Sequence, residues 1–570
     1  MSPFSAATYP QLITQQSSTQ ARLFPQYGGT DSHFDVIVAG SGVGGGILAD
    51  DLADRFASAA SGKRILVLEA GSYLFPTHVF NVCRFPNAAV ARAYAVQTFT
   101  QPGGPTDRHY IHERPQLNFG GRSVFWSGLI PTIQPWELEF FPQMVRDGIA
   151  SREDQVGRAL NASVTMGERA QAIVQALRNS PLAGHFEIRE TPRALHQPYL
   201  TAAGSPASEF WTESTGVFNT AELLTNQIGL ASSDAAVDPT RRPSLLLNHY
   251  LESVTRRNDD RYVLEVQDTI GNATKQFTAD TVVLAAGTIE SAKILRRSRV
   301  FEALPDEVQG LVGKGLTDHP TTAWVEGLVT GIGSIDIPRD CHAKIIFYSK
   351  GLRESDGSIT YPFNVEMNIN HEYWHLREND PTSPAVPVLP GDQSLMEIKF
   401  SFGNCLDDEN VVLFEDPLSS PYVPQLRFKN LSWMDDLATN RFPALAGWKK
   451  KSFADIFAVL NHVTHQIFSQ FTNRGQPTRP RNECWYGDCG KGFGYGTVHH
   501  CVGTLRMPTK PRLDAPGFAT VSVVDENLQV QGHPGLYVCD MSVMPFSSAA
   551  NPVGTLAALA LRLSEHLATV

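Results

Sequence analysis

Regular patterning of hydrophobic and polar positions sets in at FDVIVA, residues 34–39, a β-branched run of the kind shown by a strand buried on both faces. Glycines follow at once. The next stretch, ILADDLADRFA, places Ile47, Leu48, Leu52 and Phe56 on one side at helical spacing, and RILVLEAG returns to strand character. Together these segments predict a β-α-β unit. REDQVGRALNASV and ERAQAIVQALRN are helix-like; LLLNHYLESVTRR and YVLEVQDT read as strands. ADTVVLAAGTIESAKILRRS predicts another strand, glycine turn and helix. AKIIFYSK, YPFNVEMNIN, LMEIKFSFGN, NVVLFED and PQLRFKN then alternate as antiparallel strands do. FADIFAVLNHVTHQIFSQF is an amphipathic helix, GLYVCD a strand, and NPVGTLAALALRLSEHLATV a closing helix.

Nucleotide-type segments thus sit at both ends, with sheet material between them. This order predicts an α/β fold: a discontinuous Rossmann-like domain from residues 34–150, 225–330 and 495–570, and an inserted α+β substrate domain on an antiparallel sheet from residues 151–224 and 331–494. Residues 1–33 are polar and irregular, an arm lying on the fold. The length of 570 residues fits two large domains.

Composition narrows the partners. The apolar fraction of 42% and charged fraction of 18% are those of a globular enzyme. A net charge of -11 repels phosphate backbones, which argues against nucleic acid. No charged leader with an apolar core and no run of about 18 apolar residues stands out, so the expectation is a cytoplasmic protein without a membrane span. The 7 cysteines are odd in number and scattered, unlike a disulfide framework. Cys484 and Cys489 are close enough to bridge, but a reducing compartment keeps them as thiols. The Asn-x-Ser/Thr sites at Asn161, Asn272 and Asn430 read as chance matches.

The first chemical signal is GSGVGG, which supplies Gly40, Gly42 and Gly45. Gly40 permits the tight turn after the strand, Gly42 lets backbone approach a pyrophosphate, and Gly45 lets the helix pack on the sheet. The phosphate then meets free N–H groups and the positive end of a helix dipole. Glu69 ends the second strand, placed to accept hydrogen bonds from an adenosine ribose. Flanked by strand, helix and terminal acid, this is a dinucleotide cradle. Glu69 suits NAD or FAD; the second strand-glycine segment, VVLAAGTIES, favours FAD.

The cradle, NFGGRSVFWSG (118–128), AAGTIESAKIL (285–295), VGKGLTDHP (312–320), HCVGTLRM (500–507) and LYVCDMSVMPFSSAANPVGT (536–555) come in an order that resembles the glucose–methanol–choline (GMC) oxidoreductase family. The chain looks closest to the branch holding pyranose, cholesterol and choline oxidases. The resemblance implies FAD and oxidation of an alcohol, such as a sugar or glycoside secondary alcohol. A small primary or aryl alcohol, or a flavin lyase on the same fold, is the alternative. By residue, it implies His500 as catalytic histidine and Asn551 as its polar partner. Gly121, Arg122, Ser123, Trp126 and Ser127 belong to the loop along the flavin and pyrophosphate. Val254 is the residue whose backbone meets the adenine, and Asp540 the acid near the ribityl and phosphate groups. Ala286, Pro552 and Val553 complete the cofactor set. Some relatives attach FAD through a histidine in this loop; Phe125 stands there here, so the expectation is non-covalent FAD. O2 or a quinone would take the electrons.

The chemistry explains these residue types. Oxidising an alcohol removes a hydroxyl proton and a hydride; the cofactor takes the hydride, and a neutral imidazole suits the proton. An amide such as Asn551 orients the oxygen without titrating. Asn551 also fits an N-cap followed by Pro552 at the first helical position, in a helix whose N-terminus would face the flavin. TVHHCVGT reads as extended, so His499 and His500 should face opposite ways. Three other signals carry less. His371-Glu372-x-x-His375 has zinc-protease spacing but no room for the helix it needs, so no metal is expected. ECWYGDCGKGFGYG reads as a loop leading into His500. Trp374, Trp485 and Tyr486 are more consistent with buried packing than with substrate contact.

Overall fold

A computed structural model describes residues 32–73, 116–162, 168–195, 217–233, 243–319, 321, 325–339, 341, 343–350, 363–370, 392–415, 423–427, 453–480, 499–510 and 515–570. His371, Trp374, His375, Cys484, Trp485, Tyr486, Cys489 and nearly all of the N-terminal arm lie outside them.

The chain opens with β1 (His33–Ala39), α1 (Val43–Ser58) and β2 (Ile65–Glu69). Further along the chain come β3 (Phe186–Glu190), α2 (Thr220–Ser233), β4 (Ser244–Leu247), β5 (His249–Arg256), β6 (Tyr262–Asp268) and β7 (Ala273–Leu284). Next are α3 (Thr288–Arg297), β8 (Val325–Val329), β9 (Ala343–Ser349), β10 (Phe363–Ile369) and β11 (Ser394–Phe402). β12 (Leu536–Val538) and α4 (Val553–Thr569) close the chain.

β1, β2 and β4 run parallel, as do β7 and β12 beside them, in a 7-stranded sheet ordered β4-β2-β1-β7-β6-β5, with β12 also on β7. Ile37, Val38, Leu66 and Leu68 are buried in it, as a strand covered on both faces requires. The stretch LLLNHYLESVTRR is not continuous. Asn248 sits at φ 61 and divides it into β4 and β5, which lie at opposite ends of the strand order. Only one residue joins them, so the antiparallel β5–β6–β7 meander curls back toward β2. Asn and Asp tolerate the left-handed conformation that such a break needs.

The second sheet is antiparallel and 5-stranded, ordered β3-β9-β10-β11-β8. The fold is thus the expected α/β arrangement with an antiparallel second layer. β8 pairs with β11 in this second sheet. α2 packs on α1 and spans the proposed seam at 224–225. In β10 the alternation is clean: Phe363, Val365, Met367 and Ile369 face one way, and Asn364, Glu366 and Asn368 the other, and all are buried. α4 lies on α1, and Gly44 of α1 lets the chain just after β12 approach: a Cβ there would stand 2.0 Å from the carbonyl oxygen of Cys539.

Candidate active site

The glycine cradle is built by close approach. Gly40 has φ +112, and a Cβ on it would lie 2.2 Å from the Ala285 carbonyl oxygen; on Gly45 it would lie 2.0 Å from the Gly40 carbonyl oxygen. Gly42 differs. A Cβ there meets nothing within 4 Å, so the space above the α1 N-terminus is open. No side chain caps that helix, and no acid occupies its first turn. Its leading N–H groups are left to face an anion.

Glu69 anchors the cradle. Its Oε2 accepts from the Ser41 N–H at 3.1 Å and the Ser41 hydroxyl at 2.5 Å, and its Oε1 from the Gly71 N–H at 2.8 Å. Burial pushes the carboxyl up against the pull of these bonds. Ser41 Oγ also accepts from Gly120 N–H at 2.9 Å, and a Cβ on Gly121 would lie 3.2 Å from Gly42 Cα. The GGRSVFWSG loop therefore lies on the cradle. Ser123 Oγ accepts from the Thr220 N–H, the Trp126 indole donates to the Phe218 carbonyl, and Arg193 reaches the Ser127 carbonyl. The first two bonds pin the loop to the start of α2. On the other side, Asp540 Oδ2 accepts from the Gly287 N–H at 2.9 Å and Ser291 Oγ at 2.5 Å, while Oδ1 accepts from the Ser542 N–H at 2.8 Å. Ala286 N–H donates to Ser291 Oγ. The α3 N-terminus at Gly287 carries no side-chain cap either.

Val254 is buried on β5, and its N–H is bonded to Ser298 Oγ at 2.8 Å, so that N–H is not open to an adenine. Asn248 instead passes the end of β2: its N–H donates to the Gly71 carbonyl at 2.9 Å, and its Oδ1 accepts from Ser72.

The histidine is placed by pairing between distant segments. Val502 and Thr317 exchange backbone hydrogen bonds at 2.8 and 3.2 Å, Gly313 N–H donates to the Thr504 carbonyl, and Thr288 Oγ1 donates to the Cys501 carbonyl at 2.6 Å. Gly503, at φ +97, comes within 2.4 Å of the Gly315 carbonyl when given a Cβ. This clasp sets His319 Nε2 2.5 Å from His500 Nδ1, the rings stacked at 29° with centroids 4.7 Å apart. His319 lies in the VGKGLTDHP motif, which carried no assigned role; only the fold shows that it meets His500. His499 does not follow the extended pattern: its φ of 63 kinks the chain between the two histidines.

Electrostatics keep both rings neutral. Burial, with help from the Lys399 charge, depresses His319 to about 3. Burial also holds His500 well below 6.5, reinforced by His319, Lys399, His499 and Arg122. Asp318, His319 and His500 bring one ligand-type atom each within 4.8 Å, but the two facing nitrogens already share a hydrogen bond. Lys399 belongs to a buried cluster on the second sheet: Glu366 accepts from Lys344 and Lys399, each at 2.8 Å. Burial favours the neutral acid, yet the two ammonium groups overcome it and hold the carboxyl well below its usual range.

Asn551 is half-buried, one residue outside the cap position expected for it. Pro552 itself is the N-cap of α4, and Val553 is its first residue. Glu137, which no sequence signal marked, holds the preceding turn: Ala549 N–H donates to its Oε1 at 2.5 Å, and Gln134 N–H to its Oε2 at 2.8 Å.

An open phosphate cradle beside a buried neutral imidazole pair defines a dinucleotide-dependent oxidoreductase. Residues 466–560 match the GMC oxidoreductase family model. The paromamine 6'-oxidase of Streptomyces fradiae is 24% identical over 94% of this chain and 92% of its own length. A pyridoxine 4-oxidase from Mesorbium loti superposes with TM-score 0.56 at 16% identity, over 94% of this chain and 99% of its own. A variant formate oxidase from Aspergillus oryzae RIB40, studied for FAD modification, superposes with TM-score 0.55 at 13% identity, over 94% and 98%. Among the described residues, no helix is long and apolar enough to cross a membrane.

Proposed function

We propose that this enzyme oxidises an alcohol to a carbonyl, with FAD in the cradle and His500 as general base. One observation carries the reading: the loop lies on the cradle through the Gly120 N–H bond to Ser41 Oγ at 2.9 Å, and Arg122 in that loop is one of the charges that lower His500. A single loop thus links the phosphate site to the imidazole. The residues fit FAD: the space over Gly42 is open, the α1 and α3 N-termini are uncapped, and Glu69 and Asp540 flank them. When bound, FAD supplies the hydride acceptor. His500 accepts the hydroxyl proton. Asn551 orients the alcohol oxygen, and the loop from Gly121 to Ser127 holds the cofactor.

The substrate we propose is a sugar, glycoside or similar polyol, oxidised at a secondary alcohol. The polar face of the second sheet supports a partner rich in hydrogen-bonding groups. Asn364 Nδ2 and Asn368 Oδ1 are buried there with no hydrogen-bond partner, which is costly unless a ligand completes them. The full-length likeness to proteins named as oxidases supports O2 as acceptor, with a quinone second. Phe125 in the loop supports non-covalent FAD; acid precipitation should release the yellow colour into the supernatant.

The test is anaerobic mixing of the holoenzyme with a panel of sugars, polyols, small primary alcohols and aryl alcohols. An oxidoreductase bleaches its flavin band with its substrate; a lyase leaves the band unchanged while converting substrate. Air and a quinone, compared as reoxidants, then identify the acceptor.

A further inference from the structure

The polar face of the second sheet has a near end and a far end relative to the histidines. Side chains paired across antiparallel strands share a face, so the register groups Tyr348, Asn364 and Ser401 in one row and Lys344, Asn368 and Glu397 in another. The first row adjoins the site. Ser401 bridges to Thr321, just past His319, and Asn404 Nδ2 donates to Thr317 Oγ1 at 3.0 Å. Asn404 and Cys405 pair with Ser547 and Phe546, shortly before Asn551, and the Thr132 N–H donates to the Tyr348 hydroxyl at 3.0 Å. The second row lies four residues further along β10, about 14 Å at the rise of an antiparallel strand. Thr191 extends it: its N–H donates to the Lys344 carbonyl at 3.0 Å, where the β3–β9 register continues past Glu190.

Unsatisfied polar atoms stand in both rows. Asn364 Nδ2 in the near row, and Asn368 Oδ1 and Thr191 Oγ1 in the far row, have no hydrogen-bond partner among the described residues, although these residues are only 4%, 1% and 0% exposed. Between the rows, Glu366 is engaged by Lys344 and Lys399 at 2.8 Å each. A buried donor or acceptor is costly to leave unmade, so each calls for a group that the protein does not supply. A hydroxyl both donates and accepts, and linked sugar rings carry hydroxyls along their whole length. One ring beside His500 reaches the near row alone. A ligand that completes both rows runs along β10.

Resting on the proposed oxidation of a sugar alcohol, we infer that the substrate is a glycoside of at least two rings. The ring to be oxidised lies over Asn364, and the next ring lies over Asn368 and Thr191. Those two residues determine specificity for length, whereas Asn364 serves substrates of one ring and two alike.

The test compares glucose, galactose and xylose with cellobiose, maltose, lactose and xylobiose as reductants of the holoenzyme flavin in anaerobic stopped flow. At least one disaccharide should exceed its component monosaccharides in the second-order rate constant by about tenfold or more, the worth of one or two hydrogen bonds. Parity across every pair overturns the inference and leaves sugar oxidation standing. Asn368→Ala and Thr191→Val should each lower the disaccharide preference roughly 5–10-fold, through the half-saturating concentration rather than the limiting rate. Asn364→Ala should slow both members of a pair and keep their ratio. An unaltered preference in the Asn368 and Thr191 variants overturns the inference; should one of them fold poorly, the other decides. If no sugar bleaches the flavin, sugar oxidation fails as the reading, and calorimetric titration of the oxidised holoenzyme with the same pairs decides whether the two-ring site exists. Tighter binding of a disaccharide than of its monosaccharides supports it; equal or absent binding overturns it.

Discussion

His500 combines two properties that oppose each other in water: it must stay unprotonated, and it must accept a proton during the reaction. Burial and the positive charges of Lys399 and Arg122 secure the first. The acid limb of anaerobic flavin reduction should therefore fall below pH 6.5, the ordinary value for histidine. A limb at or above that value would contradict the electrostatic assignment. Replacing His500 by Ala should slow reduction by about 10²–10⁴-fold while leaving bound flavin in place, as stopped-flow absorbance would show. The glycines separate packing from binding. Gly42→Ala meets open space at an ordinary φ, so the apoprotein should melt normally but bind FAD less tightly. Gly45→Ala pushes a methyl against the Gly40 carbonyl and Ala285, and should cost about 1–3 kcal/mol in folding. Thermal melts of both apoproteins, with flavin titrations, distinguish the two effects.

At the scale of elements, the site hangs on turns held by buried acids. Glu137 belongs to a capping box on the short helix Pro135–Leu138 and also holds Ala549. Burial raises it to about 7, above its ordinary 4.5. A carboxyl with a raised native pKa stabilises the fold fully below its unfolded pKa, and that contribution is lost as pH rises through the native one. The melting temperature of the wild type relative to Glu137→Gln should accordingly be higher at pH 5 than at pH 8. Calorimetry at the two values checks it; a difference independent of pH shows that Glu137 does not titrate as its burial implies. The helices were legible as elements because their apolar faces recur at a local period: Ile47, Leu48, Leu52 and Phe56 all lie in the core. Partnership was not legible. Nothing in LLLNHYLESVTRR shows that Asn248 turns one run into two strands at opposite ends of a sheet, because alternation reports a strand but not its neighbour.

For the molecule as a whole, the depressed histidines govern behaviour in acid. His319 is held at about 3 in the fold against 6.5 when free. The unfolded chain binds its proton first as pH falls, so the stability from a neutral buried His319 is present above 6.5 and is lost progressively down to about 3. Denaturant midpoints should fall over that window, and His319→Gln should flatten the slope.

The cradle from Gly40 to Glu69 could be read from residues alone because its parts are contiguous and each glycine answers a local steric demand. The same holds for the α/β class. Tertiary structure alone decided that His319, 181 residues away, hydrogen-bonds His500, that Val254 has its N–H taken by Ser298, and that Val325–Val329 joins the second sheet. Such contacts depend on how separate segments close upon one another, and no periodicity within either segment encodes the other's position.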